Sequence, residues 1–176
     1  MKRLLILLSC LSLIGSCKMK SETGTGNMVD LTSAQLPMKV SYPGKVALGD
    51  MQNVITVMNW NKSLAEGNLN VGDLLADSVT WYMSDGMFGS MTRDSVLAVI
   101  RSWRNSMKTV EVNFVTILPV KYVDQNQDWV LSWTEEKDTT LKDSVETYNL
   151  HEDYLMVNGK IRTVYQYNRK TGPHGM

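Results

Sequence analysis

His151 and Asp153 are the pair in this sequence whose types and spacing suggest acid–base chemistry. Two apart on an extended segment, they project from the same side of a strand, because strand side chains alternate with a period of two. A carboxylate beside an imidazole can orient it, hold it charged or exchange a proton with it. Asp153 and His151 are therefore the candidate catalytic residues, provided that the face they share with Asn149 and Leu155 turns into the protein. The other reading of His151-Glu152-Asp153 is a solvated edge segment. The sequence contains no Gly-x-Ser-x-Gly nucleophile turn. Gly24-Thr25-Gly26 does not follow a strand and is not a nucleotide-binding signal. The histidines are His151 and His174 alone, too few for zinc, so neither a metal nor a cofactor is expected.

Five tryptophans are many for a chain of 176 residues. They serve either as core filler and sheet contacts or as the wall of a cavity for a flat, apolar ligand. On the second reading the ligand-binding residues are Trp60, Trp81, Met83, Trp103, Met107, Trp133 and Gln166. Twelve methionines suit both readings, since Met fills irregular gaps.

The elements that must position these residues fall into two groups. Asp50 is an N-cap for a helix over residues 51–66, with Gly67 as its stop. Met51, Val54, Ile55, Met58 and Lys62 form one stripe, with Val57, Trp60 and Leu64 beside it, so this helix is expected to pack on more than one side. A short helix is expected over 70–76 and a strand over 78–83. Thr92 caps a third helix over 93–107. Beyond Thr109 the pattern is strand throughout: 110–123, bulged at Pro119; 128–136; 142–157; and 160–168. Asn158-Gly159 marks a type I′ hairpin between the last two. Helices followed by long antiparallel strands make an α+β fold, with three N-terminal helices packed on a curved sheet closed into a cone.

The N-terminus gives an address. Lys2 and Arg3 precede an eleven-residue apolar run, 4–14, and Ile14-Gly15-Ser16 leads into Cys17. Eleven residues are short of the roughly 17–25 that span a bilayer, and the pattern is that of a secretory signal peptide. Cys17 after Ile-Gly-Ser resembles a bacterial lipobox, which implies cleavage at 1–16 and lipidation of Cys17. The chain is then expected at the bacterial cell envelope, on the outer membrane, its membrane partner reached through Cys17. Residues 17–45, rich in Ser, Thr, Gly, Lys and Met, read as the lipidated cysteine and a flexible tether, 46–169 as the domain and 170–176 as a polar tail. Cys10 leaves with the leader, so the folded part has no thiol for a disulfide or nucleophile. Without Lys2 and Arg3 the charge is −2, which gives nucleic acid no reason to bind.

Two stretches carry a family resemblance: NWNKSLAEGNLNVGDLLADSVTWYMSDG at 59–86, and the long strand, Asn-Gly turn and closing strand at 151–167. Together they resemble the nuclear transport factor 2-like superfamily, in its SnoaL-like and ketosteroid-isomerase-like branches. The resemblance implies the cone-shaped α+β fold. It also implies a homodimer through the outer sheet face, where Tyr148, Tyr154, Tyr165 and Tyr167 are expected. Of the isomerase machinery it carries over only Asp153, six residues before Gly159. Trp60, seven before Gly67, stands in place of the oxyanion-hole tyrosine, and the general-base position falls near Met83, with Asp85 just beyond. Three functions stay open: a lipoprotein whose cone binds a small apolar molecule without chemistry; an isomerase, lyase or hydrolase using Asp153 and His151; and a scaffold acting through its sheet face.

Overall fold

The computed structural model describes residues 28–86 and 88–171. The leader, Cys17 and His174 lie outside the described residues.

Among the described residues, eight strands form one sheet: β1 (Val29–Asp30), β2 (Lys45–Leu48), β3 (Leu75–Tyr82), β4 (Phe88–Thr92), β5 (Met107–Tyr122), β6 (Gln127–Thr140), β7 (Val145–Val157) and β8 (Lys160–Lys170). Their order is β1-β2-β5-β6-β7-β8-β3-β4, antiparallel except where β3 runs parallel to β8. Register shifts in β3 and β5 and between β7 and β8 bend the strands and curve the sheet. In β5 they fall at Met107/Thr109 and Phe114/Thr116, not at the expected Pro119, which stays in register with Val130. Asn158 and Gly159 have φ of 52° and 74°, the left-handed pair that a type I′ turn needs.

Among the described residues, two α-helices cover the concave face, α1 (Met51–Glu66) and α2 (Arg93–Asn105). Asp50 accepts the Gln52 N–H at 2.8 Å, Gly67 ends α1 at φ 71°, and Thr92 accepts the Ser95 N–H at 3.3 Å. The short helix expected over 70–76, one of the three, does not form. Only Gly72–Leu74 makes a turn of 3-10 helix, and Leu75 already pairs with Ile161 of β8. Seven residues are too few for a helix to hold without packing, and Leu75 is fully buried as strand.

Of the tether expected over 17–45, the described part, 28–45, carries strand pairing. Val29 and Asp30 pair with Val46 and Lys45, and β2 extends the sheet beside β5. Asp124 receives the Lys45 N–H at 2.9 Å and so fixes this edge.

The core lies between sheet and helices. Val54, Val57, Trp60 and Leu64 of α1 and Val96 and Leu97 of α2 meet Val130, Tyr154, Met156, Ile161 and Val164. The stripe Met51, Ile55 and Met58 is exposed, so α1 packs on one side, not on several. Arg104 ties the helices together. Its guanidinium donates to the carbonyls of Leu64 (2.9 Å), Ala65 (3.1 Å) and Met107 (3.1 Å), two of them orphan acceptors of the last turn of α1.

Candidate functional site

The side chains that face the helices from the middle of the sheet are polar where a core would be apolar. On β6 they are Ser132, Thr134, Glu136 and Asp138, following Val130; on β7, Leu150, Glu152, Tyr154 and Met156. Cross-strand pairing sets Ser132 beside Glu152 and Glu152 beside Gln166.

Glu152 is 4% exposed, and both carboxylate oxygens are occupied. The Tyr154 hydroxyl donates to Oε2, and Gln166 Nε2 donates to Oε1 at 3.1 Å. Asn61 of α1 donates to the Tyr154 oxygen at 3.2 Å and to the Val57 carbonyl at 3.1 Å. Ser132 Oγ and Thr134 Oγ1 are buried beside this chain with no hydrogen-bond partner. Buried hydroxyls without partners are uncommon, and they leave donors free for another molecule.

The charge balance of this face is unusual. Burial pushes the Glu136 carboxyl up to about 8, helped by the nearby Asp138 and Glu152 charges. Burial also raises Asp138 to about 6, with Glu146 adding to the rise and Arg104 opposing it. Glu152 moves up too, chiefly through burial, against the stabilising bonds from Tyr154 and Gln166. Carboxyls that titrate near neutrality can give and take protons at physiological pH.

A cleft of about 450 Å³ opens between α1 and β5, lined by Ile55, Met58, Asn61, Ala65, Val112 and Phe114. That is the size range of small-molecule sites. Val112 and Phe114 pair across strands with Glu136 and Thr134, so the cleft runs along the edge of the polar face. Asn61 belongs to both the cleft and the Tyr154–Glu152 chain.

The residues singled out from sequence are distributed differently. His151 and Asp153 do come together, with Nε2 2.9 Å from Oδ1, a close contact without hydrogen-bond alignment. They lie on the outer face, however, because buried Leu150, Glu152 and Tyr154 take the inner positions of β7. The expectation that they enter the cone together is corrected: the strand is in the opposite phase. Trp133 shares their outer face, 38% exposed, with its ring 4.6 Å from His151. Trp60, 1% exposed, is packed in the closed core and does not line an open wall, 6.3 Å from Trp81. Trp81 is half-buried with its Nε1 unpartnered. Trp103 and Met107 are half-buried, and Met83 is exposed beyond the end of β3. These residues do not share a cavity. Of them, Gln166 hydrogen-bonds to Glu152. Tyr165 and Tyr167 face outward as expected, whereas Tyr148 and Tyr154 face inward.

Glu152, Tyr154, Asn61 and the β6 stripe are missed by sequence reasoning. The available signal is the alternation Ser132-x-Thr134-x-Glu136-x-Asp138, which becomes readable only once Val130 is known to point inward.

No protein-family model matches the chain, and comparison with curated proteins finds no match. Solved structures do resemble it. An epoxide hydrolase of the LEH-like type from M. tuberculosis superposes with a TM-score of 0.56 at 12% identity, over 68% of this chain and 84% of that one. A protein from Burkholderia pseudomallei K96243, described as nuclear transport factor 2-like and of unknown function, gives 0.53 at 18% identity, over 67% and 91%. A protein with a ketosteroid isomerase-like fold from Catenulispora acidiphila DSM 44928, solved with trimethylamine, gives 0.51 at 16% identity, over 64% and 83%. At such identities the likeness is one of fold: this chain folds as a nuclear transport factor 2-like, ketosteroid isomerase-like cone.

Proposed function

We propose that the domain is an enzyme that moves protons on a small, mostly apolar molecule, as an isomerase, lyase or hydrolase. Glu152 is its acid–base group. The observation that carries this reading is the hydrogen-bonded chain from the cleft inward: Asn61 to Tyr154, and Tyr154 to Glu152. A ligand in the cleft that displaces the Asn61 amide meets the Tyr154 hydroxyl. That oxygen accepts the ligand's proton as it passes its own to Glu152, leaving a neutral phenol, a protonated carboxyl and a deprotonated ligand. Ser132 and Thr134 offer unused hydroxyls to a developing negative charge, and Glu136, near neutrality, is placed to return a proton. The epoxide hydrolase-like and isomerase-like neighbours support small-molecule chemistry in such a cone.

The test is a panel of small apolar epoxides and enolisable ketones incubated in deuterated water and followed by NMR. Turnover or deuterium incorporation is expected, falling by about 10²–10⁴-fold in a folded Glu152→Gln variant. Binding without exchange across the panel, or an unaffected variant, supports instead a cone that binds without chemistry.

We propose further that the domain works at a bacterial envelope, held by lipidated Cys17. The lipobox-like run before Cys17 supports this. Cys17→Ser should release the protein from membranes or block maturation. Full membrane retention of that variant, with no palmitate label on the wild type, refutes it.

A further inference from the structure

The outer face of the sheet carries a second concavity, of about 440 Å³, remote from the helices. Five aromatic side chains shape it: Tyr42, Tyr122, Trp129, Tyr165 and Tyr167, with Asp153 in its wall. Register explains the assembly. Trp129 sits beside Leu155, Leu155 beside Thr163, and Asp153 beside Tyr165, all on the face opposite Glu152. Tyr42 reaches the groove from the segment between β1 and β2 and stands 71% exposed. The rings are held in place by one another. Trp129 and Tyr165 lie 6.1 Å apart, Tyr122 meets Trp129 edge-on at 6.5 Å, and Tyr82 stacks on Tyr165 at 4.5 Å. Trp129 Nε1 donates to Gln127 at 3.3 Å, which fixes the indole plane.

The electrostatics of this groove point one way. Aromatic faces carry negative potential, and Asp153 is the sole formally charged residue in the lining. The nearby Lys121 amine is directed elsewhere, to Asn126 and Asp128, each at 2.9 Å. The basic neighbour of Asp153 is the His151 imidazole, Nε2 2.9 Å from one carboxylate oxygen, an imidazole and not a fixed cation. A neutral apolar ligand, or a second copy of this chain carrying its own Asp153, would bury that carboxylate with no fixed positive charge against it. A cation with apolar substituents satisfies both rings and carboxylate.

We propose that this groove binds a free substituted ammonium ion, its alkyl groups against Trp129 and Tyr165 and its charge beside Asp153. The site stands on the opposite face from Glu152, so the two readings stand or fall separately.

Calorimetric titration of the full chain with choline, and with its uncharged isostere 3,3-dimethylbutan-1-ol, tests the charge requirement directly. Choline should bind at least about tenfold more tightly than the alcohol. Asp153→Asn should weaken choline by about tenfold and leave the alcohol unchanged. Tyr165→Leu should weaken choline, whereas Tyr165→Phe should retain it, because the ring face and not the hydroxyl makes the contact. Equal binding of both probes, binding of neither at millimolar concentration, or a dimer that covers the groove and excludes choline would each overturn the proposal. Binding to phosphatidylcholine vesicles without binding of free choline would place the cation on a lipid and overturn it as stated.

Discussion

Replacing Glu136 by glutamine keeps the shape of the side chain and removes one titration, which isolates the charge cost of the inner face. In the folded chain this carboxyl titrates at about 8, against an ordinary value of 4.5. Between those values the folded state holds a proton that the unfolded state has released. Stability from this group is therefore fully present below about 4.5 and is lost as pH rises through about 8. At about 1.4 kcal/mol per pH unit, the interval is worth on the order of 5 kcal/mol. Asp138, raised from 3.8 to about 6, acts in the same direction over a lower window. Because Asp138's charge is part of what raises Glu136, the two do not add, and we take about 5 kcal/mol for both. A domain of this size has only about 5–15 kcal/mol in all. Urea unfolding followed by tryptophan fluorescence, at intervals from about pH 5 to pH 8.5, reads the effect as a falling midpoint at constant slope. Glu136→Gln should match wild type near pH 5 and exceed it by several kcal/mol near pH 8.5. A wild-type curve that is flat or rising across that window would refute the reasoning, and so would a variant that tracks it.

Three further outcomes follow from the packing. Arg104→Lys keeps the charge but loses most of the three carbonyl contacts, two at the end of α1 and one at Met107, so unfolding free energy should fall by about 1–3 kcal/mol; an unchanged urea midpoint would mean that α1 needs no such clamp. Gly159→Val forces a β-branched residue to φ 74° and should cost more than about 1 kcal/mol, read as a lowered melting temperature. Trp60→Ala empties a fully buried site and should cost about 3–5 kcal/mol, and an unaltered stability would place Trp60 outside the core.

The parts of the fold that the sequence discloses are those written in local chemistry. Asp50, Gly67 and Thr92 bound the two helices because capping needs only the neighbouring residues, and Asn158-Gly159 makes its turn for the same reason. The segment 70–76 has the composition of a helix, but pairing of Leu75 with a strand 86 residues later decides otherwise, and no local window contains that partner. The edge strands likewise depend on distant partners: Lys45–Leu48 pairs with the open ladder of β5, and Val29–Asp30 pairs in turn with Lys45–Leu48. The candidate site depends on one binary choice, the phase of β7. Leu150, Glu152, Tyr154, Met156 and the alternate set His151, Asp153, Leu155, Val157 are both half apolar, so alternation cannot choose between them. A slip of one residue exchanges the faces, and with them the whole site.

That near-degeneracy bears on function. A sheet that only needed to be stable would turn Trp129, Leu131 and Trp133 inward and leave Ser132, Thr134, Glu136 and Asp138 to water. The observed phase does the reverse: three aromatic or aliphatic side chains face outward and four polar ones face the helices. The inner arrangement costs stability at neutral pH, since protonation of Glu136 and burial of two unpartnered hydroxyls both oppose folding there. Apolar residues of equal volume would remove that cost without disturbing the backbone. Departures from the pattern that stability favours concentrate where a protein does something else. Here they concentrate on both faces of the same strands: carboxyls, phenol and free hydroxyls beside a cleft on one side, and an aromatic groove with a single carboxylate on the other. On the two proposals, the central strands β6, β7 and β8 serve two surfaces of different character, and the polarity that looks misplaced from the standpoint of folding is what each surface would use.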